Sequence, residues 1–267
     1  FSDDIAVIKV NEKGSYIDKK GTLITDVLFD AAGPFSEGLA PVMIDNKCGY
    51  IDKTGKIVIE PKYEMSGLYA EGLMGVMIDG KWGYMDKSEK IIIKPQFDNA
   101  CNFFEGIAFV MKDRKWGCID KTGNLIIKPQ FDAPSRFKDG IALVQSGYVY
   151  GYIDKAGNFI IKPQFSEASM FSEDLAAVSI DDRWGFIDKK GSFFITSQFD
   201  GAGDFSEGLA PVKVKEKWGF IDKTGRFIIE PVYDNAISFS NGLSAVMADG
   251  KYYYIDNTGK VIWEKKE

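Results

Sequence analysis

The segment Lys81–Lys87 (KWGYMDK) decides the fold of this chain because it returns at a fixed spacing. It recurs 34 residues later as Lys115–Lys121 (KWGCIDK) and again as Lys217–Lys223 (KWGFIDK). Written in rows of 34, the whole sequence falls into register without an insertion. We therefore expect a single repeat array over residues 1–267, with seven full repeats and a partial eighth at 239–267. Repeats 1 to 8 begin at Phe1, Phe35, Tyr69, Phe103, Phe137, Phe171, Phe205 and Phe239, and positions are numbered from 1 to 34 within each.

The residues shared between repeats indicate β-structure. Position 1 is aromatic and position 18 is Asp in all eight repeats, and position 29 is aromatic in the seven full ones. Glycine at positions 15 and 21 and proline at position 27 interrupt every stretch that could form paired helices, which excludes helical repeats of the same length. The apolar runs, such as Ile91-Ile92-Ile93, are rich in β-branched residues.

Repeat 2 illustrates the predicted strands, which are Leu39–Ile44, Lys47–Asp52 and Lys56–Glu60. They predict an all-β fold of three-strand antiparallel meanders, each followed by an irregular connector. Because positions 23 to 25 are all apolar, we expect the third strand to be buried on both faces between neighbours. Stacked meanders would form an open superhelical array. The alternative is an eight-bladed β-propeller, although 34 residues is short for a four-strand blade of ~40 or more.

Two recurring residue types have predicted structural roles. Asp at position 18 should cap a tight turn with its carboxylate, and Gly at position 21 should supply the positive φ that returns the chain to a strand. Repeat 3 carries Glu89 in place of that glycine, so we expect a strained or altered turn there. Gly at position 15 predicts a close approach by the adjacent repeat. The tryptophans at position 14 and the thiols of Cys48 and Cys118 are expected in the core.

The KWG motifs, together with flanking segments such as Phe205–Val212 (FSEGLAPV) and Ile126–Asp132 (IIKPQFD), resemble the WG-repeat (KWG-repeat) family of bacterial proteins. The resemblance extends over the whole chain. It implies a bacterial repeat protein, and the variable copy number in that family favours an open array. It implies little about activity. Repeats 1, 2, 5 and 8 depart from the Trp-Gly pair.

Composition argues against several classes of function. The chain has no histidine, which removes the commonest general base and metal ligand. Its net charge of −6 argues against nucleic acid as a partner. No apolar run reaches the ~18 residues of a membrane helix, so no membrane insertion is expected. Phosphate-binding and nucleophile motifs are missing from the sequence. We therefore predict a non-enzymatic protein with no catalytic residues, cofactor or metal.

The positions that vary between repeats indicate a candidate binding surface. Tyr148 and Tyr150 give repeat 5 an aromatic first hairpin tip. Acidic residues occupy the tips of other repeats: Asp45, Asp79, Asp113, Asp181 and Asp249. The main hypothesis is a scaffold that binds another protein or macromolecule through hairpin tips and connectors. One alternative is a carbohydrate- or cell-wall-binding module, and another is an accessory repeat region of a larger enzyme or effector, since the first residue, Phe1, is not a start Met. A cytoplasmic or an exported location fits the sequence equally.

Overall fold

The protein is built from β-strands throughout the described residues, 1–264, of the computed structural model. It divides into two compact units, Phe1–Phe137 and Lys138–Glu267. The all-β prediction is confirmed. The end of the partial eighth repeat, residues 265–267, lies outside the described residues. No described segment forms a helix with the length and apolar character needed to cross a membrane.

The first unit begins with a hairpin and continues with three four-stranded antiparallel sheets, β3–β6, β7–β10 and β11–β14. Its strands are β1 (Ile5–Val10), β2 (Lys13–Asp18), β3 (Ala31–Ala32), β4 (Leu39–Ile44), β5 (Lys47–Asp52), β6 (Ile57–Tyr63), β7 (Met65–Ala70), β8 (Leu73–Ile78), β9 (Lys81–Met85), β10 (Ile91–Phe97), β11 (Asn99–Ala100), β12 (Ile107–Lys112), β13 (Lys115–Asp120), β14 (Leu125–Phe131) and β15 (Ala133–Pro134).

The second unit begins with a meander, β16–β18, and continues with three further four-stranded antiparallel sheets, β19–β22, β23–β26 and β27–β30. Its strands are β16 (Ile141–Ser146), β17 (Val149–Asp154), β18 (Phe159–Phe165), β19 (Glu167–Ala168), β20 (Ala176–Ile180), β21 (Arg183–Ile187), β22 (Phe193–Phe199), β23 (Gly201–Ala202), β24 (Leu209–Val214), β25 (Lys217–Asp222), β26 (Phe227–Tyr233), β27 (Asn235–Ala236), β28 (Ser244–Ala248), β29 (Lys251–Ile255) and β30 (Val261–Glu264).

The predicted meander is present, and the structure adds a fourth strand to it. In the sheet of β11–β14, the connector of the preceding repeat supplies β11, whose residues Asn99 and Ala100 pair with Met111 and Val110. This extra strand was missed because two residues carry no alternation pattern. Its shortness also explains how four strands fit into a 34-residue period. Each sheet therefore begins near the end of one sequence repeat and ends in the next.

Glycine at position 15 is required by its own sheet, which corrects the prediction of contact with an adjacent repeat. A Cβ atom on Gly117 of β13 would lie 2.4 Å from the carbonyl oxygen of Ile127 in the neighbouring β14. The register between these strands shifts around this point, where Trp116 pairs with Phe131 and Cys118 pairs with Ile127. The bulged third strand thus presses its backbone against the glycine, and no side chain fits between them.

The third strand of each meander, which is the last strand of its four-stranded sheet, is not buried on both faces, so that prediction was wrong. In β10, Ile93 is 3% exposed, whereas Ile91 and Ile92 are 36% and 37% exposed. The third strand lies at the edge of its sheet with a hydrogen-bonded neighbour on one side. Of positions 23 to 25, only position 25 points into the core, and positions 23 and 24 form an apolar, partly exposed margin.

The core lies between successive sheets, where position 16 of one repeat meets position 1 of the next. Tyr84 packs edge-on against Phe103 with ring centroids 4.8 Å apart, and its hydroxyl donates a hydrogen bond to the Cys101 carbonyl at 2.6 Å. Repeat 4 has the smaller Cys118 at position 16, and there Phe109 stacks on Phe137 at 5.4 Å. The aromatic contact between repeats is thereby retained by a different residue.

The tryptophans and two of the thiols occupy the core to different degrees. Trp82 is buried in a cluster with Phe97 and Phe103, which agrees with its predicted role between repeats. Trp116, Trp184 and Trp218 are half-buried. As predicted, Cys48 and Cys118 are buried free thiols, whereas Cys101 is exposed.

Aspartate at position 18 caps a turn as predicted. The Asp52 Oδ1 atom accepts hydrogen bonds from the Thr54 backbone N–H at 2.8 Å, the Thr54 hydroxyl at 2.6 Å and the Lys56 N–H at 3.2 Å. In repeat 3 the turn keeps the same hydrogen bonds and is strained, because Glu89 takes a φ of 64° that ordinarily favours glycine. Its carboxylate pairs with Lys62 and accepts a hydrogen bond from the Tyr63 hydroxyl at 3.1 Å.

Candidate functional site

The acidic candidates lie at two-residue turns that require left-handed backbone. Asp45, Asp79, Asp113, Asp181 and Asp249 each take a φ of 50° to 54° at the first turn position, and all five are exposed. The second turn residue also has positive φ, as Asn46 shows at 59°. This is a type I′ hairpin turn, for which Asp, Asn and Gly are favoured. The aspartates therefore have a conformational reason to occupy the tips, which their charge alone does not reveal.

A carboxylate from the preceding repeat holds each of several tips in place. The Asp113 backbone N–H donates to Asp98 Oδ2 at 2.9 Å, while Lys81 Nζ bonds the other oxygen of Asp98 at 2.6 Å. The hydrogen bond from Lys81 lowers the pKa of Asp98 below its ordinary value. The same arrangement recurs with Asp30 at Asp45, Asp200 at Lys215 and Asp234 at Asp249. In each of these repeats a basic residue at position 13 pairs with the aspartate at position 30: Lys13, Arg183 and Lys217.

A second set of carboxylates links the turns of successive repeats, each turn lying just before the first strand of a meander. The Gly106 backbone N–H donates to Glu71 Oε2 at 2.9 Å, and Lys121 Nζ pairs with the same oxygen at 3.1 Å. In the second unit, the Gly242 backbone N–H donates to Glu207 Oε2 at 2.9 Å. Acidic residues that recur in register thus bind backbone groups and lysines of the scaffold.

Repeat 5 departs from this scheme at its first hairpin tip. Gly147 supplies a φ of 65°, and the following residue, Tyr148, is 94% exposed. Positions 13 and 30 have both lost their charge, because Val149 and Ser166 replace the lysine and the aspartate. The Ser166 hydroxyl instead donates to the Ser179 carbonyl at 3.1 Å. An uncharged, aromatic tip results where the other repeats are polar.

The two candidate tyrosines differ in exposure. Tyr150 is half-buried and lies opposite Gln145 on one side and Phe165 on the other. Only Tyr148 projects its ring into solvent. The first unit contains Asp45, Asp79 and Asp113, and the second contains Tyr148, Tyr150, Asp181 and Asp249. Each of the seven lies at or beside the tip of its own hairpin.

Among residues 1–264, no three or more Cys, Asp and Glu side chains are grouped so that they could hold a metal ion. The aspartates at position 18 are committed to turns, as Asp120 illustrates. Its carboxylate accepts a hydrogen bond from the Thr122 hydroxyl at 2.6 Å, which lowers its pKa to about 2. The recurring aspartates at position 18 thus serve as turn caps.

A cavity of about 310 Å³ lies beside the tip of repeat 3 in the first unit. Its lining residues are Lys47, Lys62, Tyr63, Glu64, Met77, Ile78 and Asp79. Burial, followed by the hydrogen bond to Glu89, raises the pKa of Tyr63. The signal for this arrangement in the sequence is Glu89 itself, the residue that replaces the turn glycine.

The apolar margin of the third strands was missed as a surface feature. Val58, Ile92, Ile126, Ile160, Phe194 and Ile228 at position 24 are all exposed. A signal was present in the sequence, since charged residues and proline at positions 26 and 27 are typical of edge strands. Three consecutive apolar residues outweighed that signal in the prediction.

Comparison with known proteins identifies the repeat unit. The sequence profile of the WG containing repeat matches seven consecutive segments: 15–48, 49–82, 82–116, 116–149, 150–184, 184–218 and 218–252. No curated protein matches the chain.

Solved structures resemble the chain in fold alone. They include a eukaryotic initiation factor, with 9% identity and a TM-score of 0.66 over 99% of this chain and 85% of that one. The dihydro-heme d1 dehydrogenase NirN matches with 12% identity and a TM-score of 0.55, covering 99% of this chain and 74% of that one. Hsv2p of Kluyveromyces lactis matches with 9% identity and a TM-score of 0.51, covering 88% and 96%. These propeller-like folds are consistent with the propeller alternative. By its seven matched segments, the chain belongs to the family of WG-containing repeat proteins.

Proposed function

We propose that this protein is a non-enzymatic binding module that recognises another protein through the first hairpin tips of its repeats. The observation that carries the proposal is the tip of repeat 5, where Tyr148 is 94% exposed. Tyrosine is enriched in protein interfaces because it offers a large apolar surface with a polar end and few rotamers. An aromatic ring held this far into solvent adds nothing to the core of its own repeat.

The structural roles of the recurring carboxylates support the non-enzymatic part of the proposal. Asp98 binds a lysine and a backbone N–H, Glu71 binds a lysine and a glycine N–H, and Asp120 caps a turn. Acid–base catalysis needs carboxylates placed toward a substrate and tuned to the working pH. These side chains instead serve the scaffold, and their recurrence in register is typical of structure.

The test is chemical crosslinking followed by affinity capture from a native lysate, with Tyr148→Ala compared to a matched control. Arg114 occupies the same tip position in repeat 4, so Arg114→Ala removes an exposed side chain without touching the aromatic tip. We expect a protein captured by the parent to be lost or weakened at least tenfold with Tyr148→Ala and retained with Arg114→Ala. Equal capture by all three proteins would exclude the tip of repeat 5 as the binding surface.

A carbohydrate ligand is the second candidate, favoured by the exposed face of Tyr148 and the neighbouring Tyr150. Sugar rings stack on such aromatic faces in carbohydrate-binding proteins. A glycan array probed with the parent, Tyr148→Ala and Tyr150→Ala separates the two candidates. Binding by the parent that disappears in the tyrosine variants would support the carbohydrate candidate, and no binding by the parent would reject it.

A further inference from the structure

In the four-stranded sheets of the described residues, the last strand has a hydrogen-bonded neighbour on one side only, and most repeats protect this edge. An edge strand can pair with any extended chain, and natural proteins block this with charge and proline. Positions 26 and 27 carry such a pair in β6, β10, β14, β18 and β26, namely Glu60-Pro61, Lys94-Pro95, Lys128-Pro129, Lys162-Pro163 and Glu230-Pro231. Proline removes a backbone donor, and the charge is costly to bury in a new interface.

Repeat 6 has lost both protective residues. Its outer strand, β22, carries Thr196 and Ser197 at those positions. Phe193 and Phe194 stand where the other five strands have at most one aromatic residue. Phe194 is 59% exposed, against 37% to 43% for the equivalent residues of those strands. Among these six outer strands, the least protected one thus also presents the largest apolar side chain.

The faces and charges of β22 define what could bind there. From Phe194 onward, the exposed Phe194, Thr196 and Gln198 alternate with the buried Ile195 and Phe199 and the half-buried Ser197, as along a strand. Phe193 is also exposed, at the start of the strand. None of the seven residues of β22 is charged. Lys189 and Lys190 precede the strand in its turn; Lys189 pairs with Asp174 at 2.7 Å, and Lys190 is exposed. The edge therefore has an uncharged body and a positive charge at its beginning.

We propose that β22 binds an extended segment of a partner polypeptide as an additional antiparallel strand. Backbone hydrogen bonds would supply the affinity, and an apolar residue packed on Phe194 would supply selectivity. In the antiparallel orientation, the C-terminal end of the segment lies beside the beginning of β22, so an acidic residue there faces Lys190. This surface is separate from the hairpin tips, and it deepens the proposed protein-binding function by naming the form of a partner.

The probe is a display library of ten-residue peptides with alternating apolar and polar positions and a C-terminal acidic pair. We expect selection on the parent protein to enrich members, and the enriched peptide to bind at least tenfold more weakly to Ser197→Pro and to Phe194→Lys in fluorescence anisotropy. Methylating alternate backbone nitrogens of the peptide should abolish binding in one of the two possible registers. Ser197→Pro should fold, since five sister strands carry proline at this position.

Two matched variants separate this surface from the others. Tyr148→Ala should leave peptide binding unchanged, so loss of the tip function and loss of the edge function are distinguishable. The double variant Lys128→Thr, Pro129→Ser removes the protection from β14 and should raise the stoichiometry above one peptide per chain. The proposal is overturned if no peptide is enriched or if Ser197→Pro binds the peptide as the parent does. It is also overturned if light scattering shows a dimer that Ser197→Pro converts to monomers, because the occupant is then a second copy.

Discussion

Strands β14 and β22 occupy the same place in repeats 4 and 6 and differ in what they expose. The first reads Leu-Ile-Ile-Lys-Pro-Gln-Phe and the second Phe-Phe-Ile-Thr-Ser-Gln-Phe. Their buried residues are the same, with Ile127 matching Ile195 and Phe131 matching Phe199. All four differences lie at positions outside the core. The comparison separates the buried positions, which maintain the fold, from the exposed positions, which are free to vary for function.

The largest effect should come from truncating the buried residues that the two strands share. Phe131→Ala and Phe199→Ala each remove a buried ring, and we expect each to lower the free energy of unfolding by about 3–5 kcal/mol. Chemical denaturation measures both. A loss below about 1 kcal/mol at either site would mean that the position is not core and that the two repeats are not equivalent.

A smaller loss is expected where the backbone of the third strand meets a glycine. A Cβ atom at Gly117 or Gly185 would lie 2.4 Å or 2.6 Å from a carbonyl oxygen of the same sheet. We expect Gly117→Ala and Gly185→Ala to cost about 2–3 kcal/mol each, because backbone must move. Gly75→Ala is the control, since its nearest neighbours are ring atoms of Trp82 at 3.4 Å. Equal losses at all three sites would contradict the close approach.

The turn that leads into β14 should depend on pH. The hydrogen bond from Thr122 is the largest cause that lowers the pKa of Asp120 to about 2 from an ordinary 3.8. A carboxyl group with a lowered folded-state pKa stabilises the protein above its unfolded pKa, and this contribution is lost as the pH falls from about 4 to about 2. Urea unfolding between pH 2 and pH 6 should show a shallower acid dependence in Asp120→Asn and Thr122→Val. An unchanged acid dependence in both variants would mean that the Thr122–Asp120 hydrogen bond does not stabilise the folded protein.

The exposed ion pair should have the smallest effect. Lys115 and Asp132 are partly exposed and lie 2.5 Å apart, whereas repeat 5 has Val149 and Ser166 in their places. A double-mutant cycle on Lys115→Ala and Asp132→Ala should give a coupling below about 1 kcal/mol, since water competes for such pairs. The reverse experiment, Val149→Lys with Ser166→Asp, should gain no more than that. A coupling above about 2 kcal/mol would make the pair a determinant of the fold.

The repeats revealed most of the fold because each buried residue is sampled several times. Asp120 as a turn cap, Phe131 as core and the strands of each meander all follow from register and turn chemistry. The two-residue strand β11 could not be predicted, since its pairing with β12 depends on tertiary contact alone. The third strand was misplaced for a related reason: Ile91 and Ile92 look like core residues, and only the order of strands in the sheet reveals an edge.

The candidate site was predictable in part. Tyr148 stood out as an aromatic residue at a polar position, and the structure places it in solvent. The acidic residues at the tips were predicted to bind a partner through their charge. The positive φ of Asp113 shows that the turn conformation also favours aspartate there. No role was predicted for Thr196 and Ser197, because the absence of a protective proline matters only once the strand is known to be an edge.

The most direct test gives repeat 6 the outer strand of repeat 4. The variant Phe193→Leu, Phe194→Ile, Thr196→Lys, Ser197→Pro makes β22 identical in sequence to β14. The selected peptide and urea unfolding are then measured on the same protein. We predict a free energy of unfolding within about 1 kcal/mol of the parent, as expected of surface substitutions, and loss of peptide binding by at least tenfold. Retained binding would contradict the assignment of peptide binding to the exposed positions of β22. A loss of stability above about 2 kcal/mol would contradict the equivalence of the two strands.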